Sequence, residues 1–246
     1  MWLRILKGVL LGLVQGLTEF LPVSSSGHLL LLERMGVAAP SLFLNLTLHL
    51  STLLAVCIVM RREVWDWVRH PISKQARWLY LSCLPTAAIA VLLTRFAEDW
   101  IDGRYLAVGF LATSCLLLLS GRLPNRNKPL AVPNALWVGV VHGLAVLPGV
   151  SRSGATVSAM RYAGIDPQKG VTLSFLLAIP VTVGGMVWQL VSDGVADIDV
   201  PLCVAACVAA FLSGLVSLRL MLRAFGQSMP LFAVYTLALS VVSLFV

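Results

Sequence analysis

The sequence predicts an all-α polytopic membrane protein, an inverted repeat in which each half is a re-entrant helical hairpin followed by three transmembrane helices. Three observations carry that prediction: the composition, two broken apolar stretches that resemble each other, and the sorting of charge by loop. Of 246 residues, 59% are hydrophobic and 12% charged, against about a quarter charged in soluble domains, and the mean hydropathy is +0.91. A soluble globule is excluded. Runs free of Asp, Glu, Lys and Arg cover 35–60, 78–94, 105–121, 129–151, 170–192, 200–218 and 224–246, most of them near the roughly 20 residues a spanning helix needs. The net charge of +7 does not point to nucleic acid, because in such a chain basic residues report topology. No small-residue cleavage site follows the first apolar stretch, so it is expected to be retained. The five cysteines, Cys57, Cys83, Cys115, Cys203 and Cys207, all lie in apolar runs and are expected as small core residues, not disulfides or metal ligands.

Taken in chain order, the first element is a broken stretch, 3–37, interrupted at Glu19-Phe20-Leu21-Pro22-Val23-Ser24-Ser25-Ser26-Gly27-His28. Three ordinary spans follow at about 42–60, 78–95 and 105–121. A second broken stretch, 133–164, is interrupted at Pro148-Gly149-Val150-Ser151-Arg152-Ser153-Gly154, and three more spans follow at about 170–191, 200–218 and 229–246. Each half of a broken stretch is expected to be about 12–15 residues, too short to cross at 1.5 Å per residue, so each stretch reads as a hairpin. Backbone that is not helical at that depth must be buried in protein or line a wet cavity.

The two broken stretches align without gaps at an offset of 127. Gly12, Val14, Gly16, Leu17, Val23, Ser24, Ser26 and Gly27 fall on Gly139, Val141, Gly143, Leu144, Val150, Ser151, Ser153 and Gly154, eight identities in sixteen positions. The chain therefore reads as one membrane domain of two repeats, about 1–121 and 129–246. A hairpin returns to its own side and three spans do not, so the second copy enters from the opposite face. On that topology one face carries Arg61, Arg62, Arg69, Lys74, Arg77, Arg122, Arg126, Lys128, Arg161, Lys169, Arg219 and Arg223 against Glu63, Asp66 and Asp166. The other carries Arg4, Lys7, Arg34, Arg95 and Arg104 against Glu33, Glu98, Asp99, Asp102, Asp193, Asp197 and Asp199. The first face is expected to be cytoplasmic, with both termini outside.

Two charges remain, Glu19 and Arg152, one in each broken turn. An ionisable side chain at membrane depth is costly unless paired or hydrated, which makes both candidates for function. A buried ion pair that only pins the hairpins would not need the hydroxyls around it. Ser24, Ser25 and Ser26 with Gly27, and Ser151 and Ser153 with Gly154, place donors at helix starts, where the dipole favours anions, although a lone serine-rich turn serves as an N-cap more often than as a site. Arg152 adds a planar fork suited to phosphate oxygens. Gln15 and Glu19 share a helix face if the first half-helix extends that far, able to hold a divalent cation or a water. His28 can act as proton donor, acceptor or nucleophile. His142 is the repeat-mate of Gln15, and His49 lies near Asn45 in the first span.

The run Gln15-Gly16-Leu17-Thr18-Glu19-Phe20-Leu21-Pro22-Val23-Ser24-Ser25-Ser26-Gly27-His28, with Pro148-Gly149-Val150-Ser151-Arg152-Ser153-Gly154-Ala155-Thr156 and Phe175-Leu176-Leu177-Ala178-Ile179-Pro180, resembles the paired signature of the undecaprenyl pyrophosphate phosphatase family, the BacA type linked to bacitracin resistance. The resemblance covers nearly the whole chain. It implies a multi-pass bacterial inner-membrane enzyme that removes the terminal phosphate of the C55 isoprenoid pyrophosphate and recycles the lipid carrier for cell-wall polymers. Its implied partners are that polyprenyl pyrophosphate and a second copy of the chain. Glu19, Ser25, His28 and Arg152 are implied as catalytic, with Glu19, and Gln15 beside it, toward a Mg²⁺ or Ca²⁺ ion. Gln15, Ser24, Ser26, Gly27, Ser151, Ser153, Gly154 and Thr156 are implied to contact substrate. Gln15 stands where the family carries an acid or amide, and Asn45 where an acid is common, so the metal side has lost negative charge.

The nucleophile stays open among Ser25, His28 and water. A transporter or flippase of prenyl phosphate lipids with the same anion site is the alternative, because broken helices in an inverted repeat are also a transporter pattern. Ser25-Ser26-Gly27-His28 shares a short Ser-Gly-His motif with acid phosphatase-like lipid phosphatases. The partner motifs of that class are absent, and no histidine follows Arg152.

Overall fold

A computed structural model describes residues 1–37, 42–193, 199–224 and 229–246. All regular structure among them is helical. The elements are α1 (Trp2–Phe20), α2 (Ser25–Arg34), α3 (Leu42–Val59), α4 (Arg61–Arg69), α5 (Lys74–Phe96), α6 (Glu98–Ile101), α7 (Leu106–Gly121), α8 (Val132–Leu144), α9 (Arg152–Tyr162), α10 (Pro167–Asp193), α11 (Val200–Ala224) and α12 (Met229–Val242).

Three helices are long and apolar enough to cross a membrane on their own: Lys74–Phe96, Pro167–Val191 and Val200–Arg223. A fourth crossing results if α3 is counted with α4, which bends away from it by 84°. The α4 turn carries Arg61, Arg62, Arg69, Glu63 and Asp66 and buries nothing, so it reads as a surface helix at the membrane face. The remaining expected spans are shorter, with 16 residues in α7 and 14 in α12. Both breaks fall where expected, but the first is asymmetric: α1 has 19 residues and α2 has 10, against 13 and 11 for α8 and α9. The expectation of 12–15 residues holds for α8 alone: α2 and α9 are shorter, and α1 is long enough, at 1.5 Å per residue, to reach about 28 Å.

Apolar side chains face outward as well as inward. On α1, Leu3, Leu6, Leu10, Leu13 and Leu17 are exposed, while Gly8, Leu11, Gly12, Gln15, Gly16, Glu19 and Phe20 are buried. Between apolar helices in lipid there is no hydrophobic gain, so small residues and hydroxyls make the contact instead. Gly8, Gly12 and Gly16 lie against Leu202, Ala206 and Ala210 of α11. Ser217 Oγ donates to Gly16 O at 2.5 Å, and Ser213 Oγ, which donates to Ala209 O of its own helix at 2.7 Å, stands 3.4 Å from Gly12 O. In the other half, Gly139 and Gly143 of α8 lie against Ser82 and Thr86 of α5, and Thr86 Oγ1 donates to Gly139 O at 2.9 Å. Gly12 with Ser213 and Gly139 with Thr86 are both related by 127. Each repeat's first half-helix thus packs on the middle span of the other, by the same chemistry.

Direction follows from these pairings. Rising numbers meet rising numbers between α1 and α11 and between α8 and α5, so both pairs run parallel. Between α7 and α12 the order reverses: Ser114 Oγ donates to Ala233 O, and Ser240 Oγ to Ala107 O, both at 2.7 Å. This is the arrangement an inverted repeat requires. Contacts between loops respect the faces expected from charge: Arg4 pairs with Asp199 and Arg34 donates to Gly103 O on one side. On the other, Trp78 donates to Asn134, Arg161 to Leu123 O and Lys128 N to Gly164 O. Asp197 lies outside the described residues. Of the cysteines, Cys203 is buried and Cys83 packs half-buried against the core, whereas Cys115 is exposed, so the expectation of a core residue is corrected there.

Candidate active site

The two broken turns meet. At Gly27 a Cβ would lie 2.6 Å from Phe110 and 3.1 Å from Gly149 Cα, and at Gly154 it would lie 3.1 Å from Pro22 Cβ. Gly27 matches Gly154 and Pro22 matches Gly149 at the offset of 127, so the tips interlock reciprocally and need glycine for close approach. Each second half-helix starts with a serine cap. Ser24 Oγ accepts from Gly27 N at 3.3 Å, and Ser151 Oγ from Gly154 N at 3.1 Å, which satisfies helix-start donors that would otherwise be orphaned. Ser24 and Ser26 hydroxyls stand 3.3 Å apart, as do those of Ser151 and Ser153. Of the expected anion donors, Ser24 and Ser151 therefore work as caps.

Ser25 and Arg152, the residues just after those caps, are themselves related by 127, and both converge on Glu19. Ser25 Oγ donates to Glu19 Oε2 at 2.5 Å, and Arg152 Nη2 forms an ion pair with Glu19 Oε1. Because α1 does extend through Phe20, Gln15 lies one turn before Glu19 and its Nε2 donates to Oε2 at 2.9 Å. The same Nε2 reaches His49 Nδ1 at 3.1 Å; an amide nitrogen only donates, so His49 Nδ1 accepts. His49 Nδ1 stands 3.6 Å from Glu19 Oε2. One carboxylate oxygen thus faces the guanidinium, and the other faces a hydroxyl, an amide and an imidazole. The Glu19 side chain is 4% exposed and that of Arg152 26%, so the arginine stands at the open side.

The pocket beside the pair is lined by Glu19, His49, Thr52, Arg152, Ser153 and Ser174 among others. Thr182, also in its wall, accepts from Arg152 Nη1 at 2.6 Å. It lies just past Pro180, the proline inside α10, and the sequence reading missed it, as it missed Thr52 and Ser174. A hydroxyl in an apolar run was the available signal. Thr113 of α7 was missed too. Its Oγ1 donates to Gly149 O and accepts from Ser151 N, both at 2.8 Å, so one side chain satisfies two backbone groups that the broken helix leaves open.

Not every expected residue joins the cluster. Thr156 Oγ1 donates back to Arg152 O at 2.6 Å and stands 3.1 Å from His142 Nδ1; it braces the turn that carries Arg152. His142 Nε2 has no partner among the described residues, and His142 does not line the pocket. His28 turns elsewhere: its ring nitrogens meet Ser24 O and the Tyr235 hydroxyl, each at 2.7 Å. Asn45, half-buried on α3, is not in the pocket wall.

A polytopic helical membrane protein with an acid and a guanidinium brought together from two broken helices, amid hydroxyls, is of the class that handles anionic headgroups inside the bilayer. Comparison with known proteins narrows the class. Residues 8–242 match the family model described as bacitracin resistance protein BacA, and the chain belongs to that family. It is 35% identical to an undecaprenyl-diphosphatase of Carboxydothermus hydrogenoformans over 88% of this chain and 87% of the relative. A relative of the same name from Desulfosudis oleivorans is 35% identical over 98% of both chains. A third, from Halothermothrix orenii, is 41% identical over 76% of this chain and 75% of its own.

Proposed function

We infer that the chain is an undecaprenyl-diphosphatase, a membrane hydrolase that removes the terminal phosphate of the C55 isoprenoid pyrophosphate. Family membership supports the activity. The observation that carries its assignment to a site is the convergence of Ser25 and Arg152, from equivalent positions of the two repeats, on Glu19. In phosphoryl transfer the protein's work is mostly positioning and charge neutralisation. Arg152 exchanges Glu19 for the pyrophosphate oxygens, guided by Thr182. Ser25, hydrogen-bonded to a carboxylate, is the nucleophile, and Glu19 is the base that takes its proton.

Written out, Ser25 Oγ bonds to the terminal phosphorus as the bond from phosphorus to the bridging oxygen breaks. The lipid monophosphate leaves with that oxygen and the electron pair, and the Ser25 proton passes to Glu19. Water then attacks the phosphoserine, which releases inorganic phosphate and restores Ser25. His28, three residues past Ser25 on α2, is held by Ser24 O and the Tyr235 hydroxyl and not by Glu19; its part in this reading is to accept a proton from the attacking water.

A Mg²⁺ or Ca²⁺ ion belongs to this reading on two oxygens, Glu19 Oε2 and the buried Gln15 Oε1, which has no partner among the described residues. His49 Nδ1, 3.6 Å from Glu19 Oε2, offers a nitrogen that these ions do not favour, and among the described residues no group of three His, Cys, Asp or Glu is placed for a metal. When bound, such an ion would neutralise phosphate charge. With one carboxylate in place of two, Gln15→Glu is expected to tighten divalent binding about ten-fold, measured by titration calorimetry on the purified protein.

The bacterial inner membrane as location, both termini extracytoplasmic, and one membrane domain in two repeats of about 1–121 and 129–246 complete the reading. The charge asymmetry between loops supports the orientation. A homodimer is part of the reading, and mass measurement in detergent decides the stoichiometry. Purified protein in detergent is expected to release inorganic phosphate from undecaprenyl pyrophosphate. Movement of intact lipid between leaflets without phosphate release would support the transporter alternative instead.

A further inference from the structure

His28 is held on both ring nitrogens. Ser24 O, 2.7 Å from Nδ1, is a carbonyl and can only accept, so Nδ1 carries a proton. In the neutral ring Nε2 is then the acceptor, and at 2.7 Å it faces the Tyr235 hydroxyl of α12. The rings of His28 and Tyr235 are within 15° of parallel with centroids 5.7 Å apart, and Phe110 meets the same imidazole edge-on at 5.9 Å. The imidazole is therefore fixed in rotation as well as in tautomer. Tyr235 is 44% exposed and sits beside Val234 and Leu231, also exposed, on the surface that faces lipid.

We propose that Tyr235 is a positioning residue for His28: its hydroxyl, donating to Nε2, aims and shields that basic nitrogen until the water that attacks the phosphoserine takes the hydroxyl's place as donor. This rests on the phosphatase reading for the role of His28, and on geometry alone for the contact. A water O–H is the same kind of donor to Nε2 as a phenol O–H, so the exchange leaves no ring nitrogen unpaired in the bilayer. The simpler account, that the histidine merely satisfies a phenol in lipid, predicts the same faster modification when the hydroxyl is removed but an unchanged kcat.

Two readouts on purified Tyr235→Phe test this, with a thermal melt to confirm that the variant is folded. The first is carbethoxylation of His28 by diethyl pyrocarbonate, followed by peptide mass spectrometry without substrate. Losing one hydrogen bond to Nε2 is expected to speed modification of His28 about five-fold, while His49, His70 and His142 react as in wild type. The second is steady-state kinetics on a prenyl pyrophosphate, where kcat is expected to fall about ten-fold and KM to stay within about two-fold. Unchanged His28 modification, or wild-type kcat in the folded variant, overturns the proposal. If wild type released no phosphate, the phosphatase reading would fail, and the modification arm alone would still decide the contact.

Discussion

The two broken turns share a scaffold and differ in chemistry. Each interrupts its helix at the turn, caps the second half with a serine and inserts a glycine against the other turn. Where they differ, the second turn bends at Gly149, with φ of 86°, while the first carries Pro22 at that place and moves its left-handed residue to Ser24, φ 67°. Ser24 is the one non-glycine residue with positive φ among the described residues, and such strain costs roughly 1–3 kcal/mol. The second turn carries a base after the break and the first an acid before it. Duplication thus supplies the frame, and departures from the repeat supply the charge pair. Val146 stands at the repeat position of Glu19, and Ser25 at that of Arg152.

The largest expected effect comes from removing the odd base. Arg152→Ala should lower kcat/KM about 10³-fold, the scale for losing a donor to developing charge, while a melt in detergent shows a folded protein. Glu19→Gln keeps the shape but not the base, and a loss of about 10²-fold in kcat is expected. A wild-type rate in either would break the contrast between scaffold and chemistry. Smaller effects test the frame. Thr113→Val leaves two buried backbone groups without their partner and should cost about 1–3 kcal/mol of stability, with Thr113→Ser close to wild type. Gly149→Ala should cost at least about 2 kcal/mol, because the residue would be strained at φ 86°. Ser24→Gly should change stability by less than about 1 kcal/mol, since relief of strain offsets the lost cap. Equal costs for Gly149→Ala and Ser24→Gly would contradict the different ways the turns bend.

Much of this was legible in the sequence, for identifiable reasons. The breaks, the offset of 127 and the two unplaced charges are one-dimensional signals: a gap in hydropathy, a repeat, an ionisable residue where loops cannot account for it. The clustering of Gln15, Glu19, Ser25 and Arg152 followed from them. The sequence carries no direct sign of which span supplies a wall, so Thr182, Thr113 and Thr52 were invisible among many hydroxyls in apolar runs. His28 shows the limit from the other side. Its spacing from Ser25 places it on the same helix, but only the packing of α7 and α12 shows which way its ring turns. The short α12 and the long α1 were likewise misjudged, since apolar runs mark what lipid tolerates and not where a helix starts or stops.

The most direct test of one site built jointly by the two repeats is a double-mutant cycle on phosphate release from undecaprenyl pyrophosphate, with wild type, Glu19→Gln, Arg152→Ala and the double variant, all folded by thermal melt. Residues that act as a unit are strongly non-additive. The double variant is expected to lose no more than Arg152→Ala alone, about 10³-fold in kcat/KM; losses that multiply to about 10⁵-fold would mean that the two charges act in separate places.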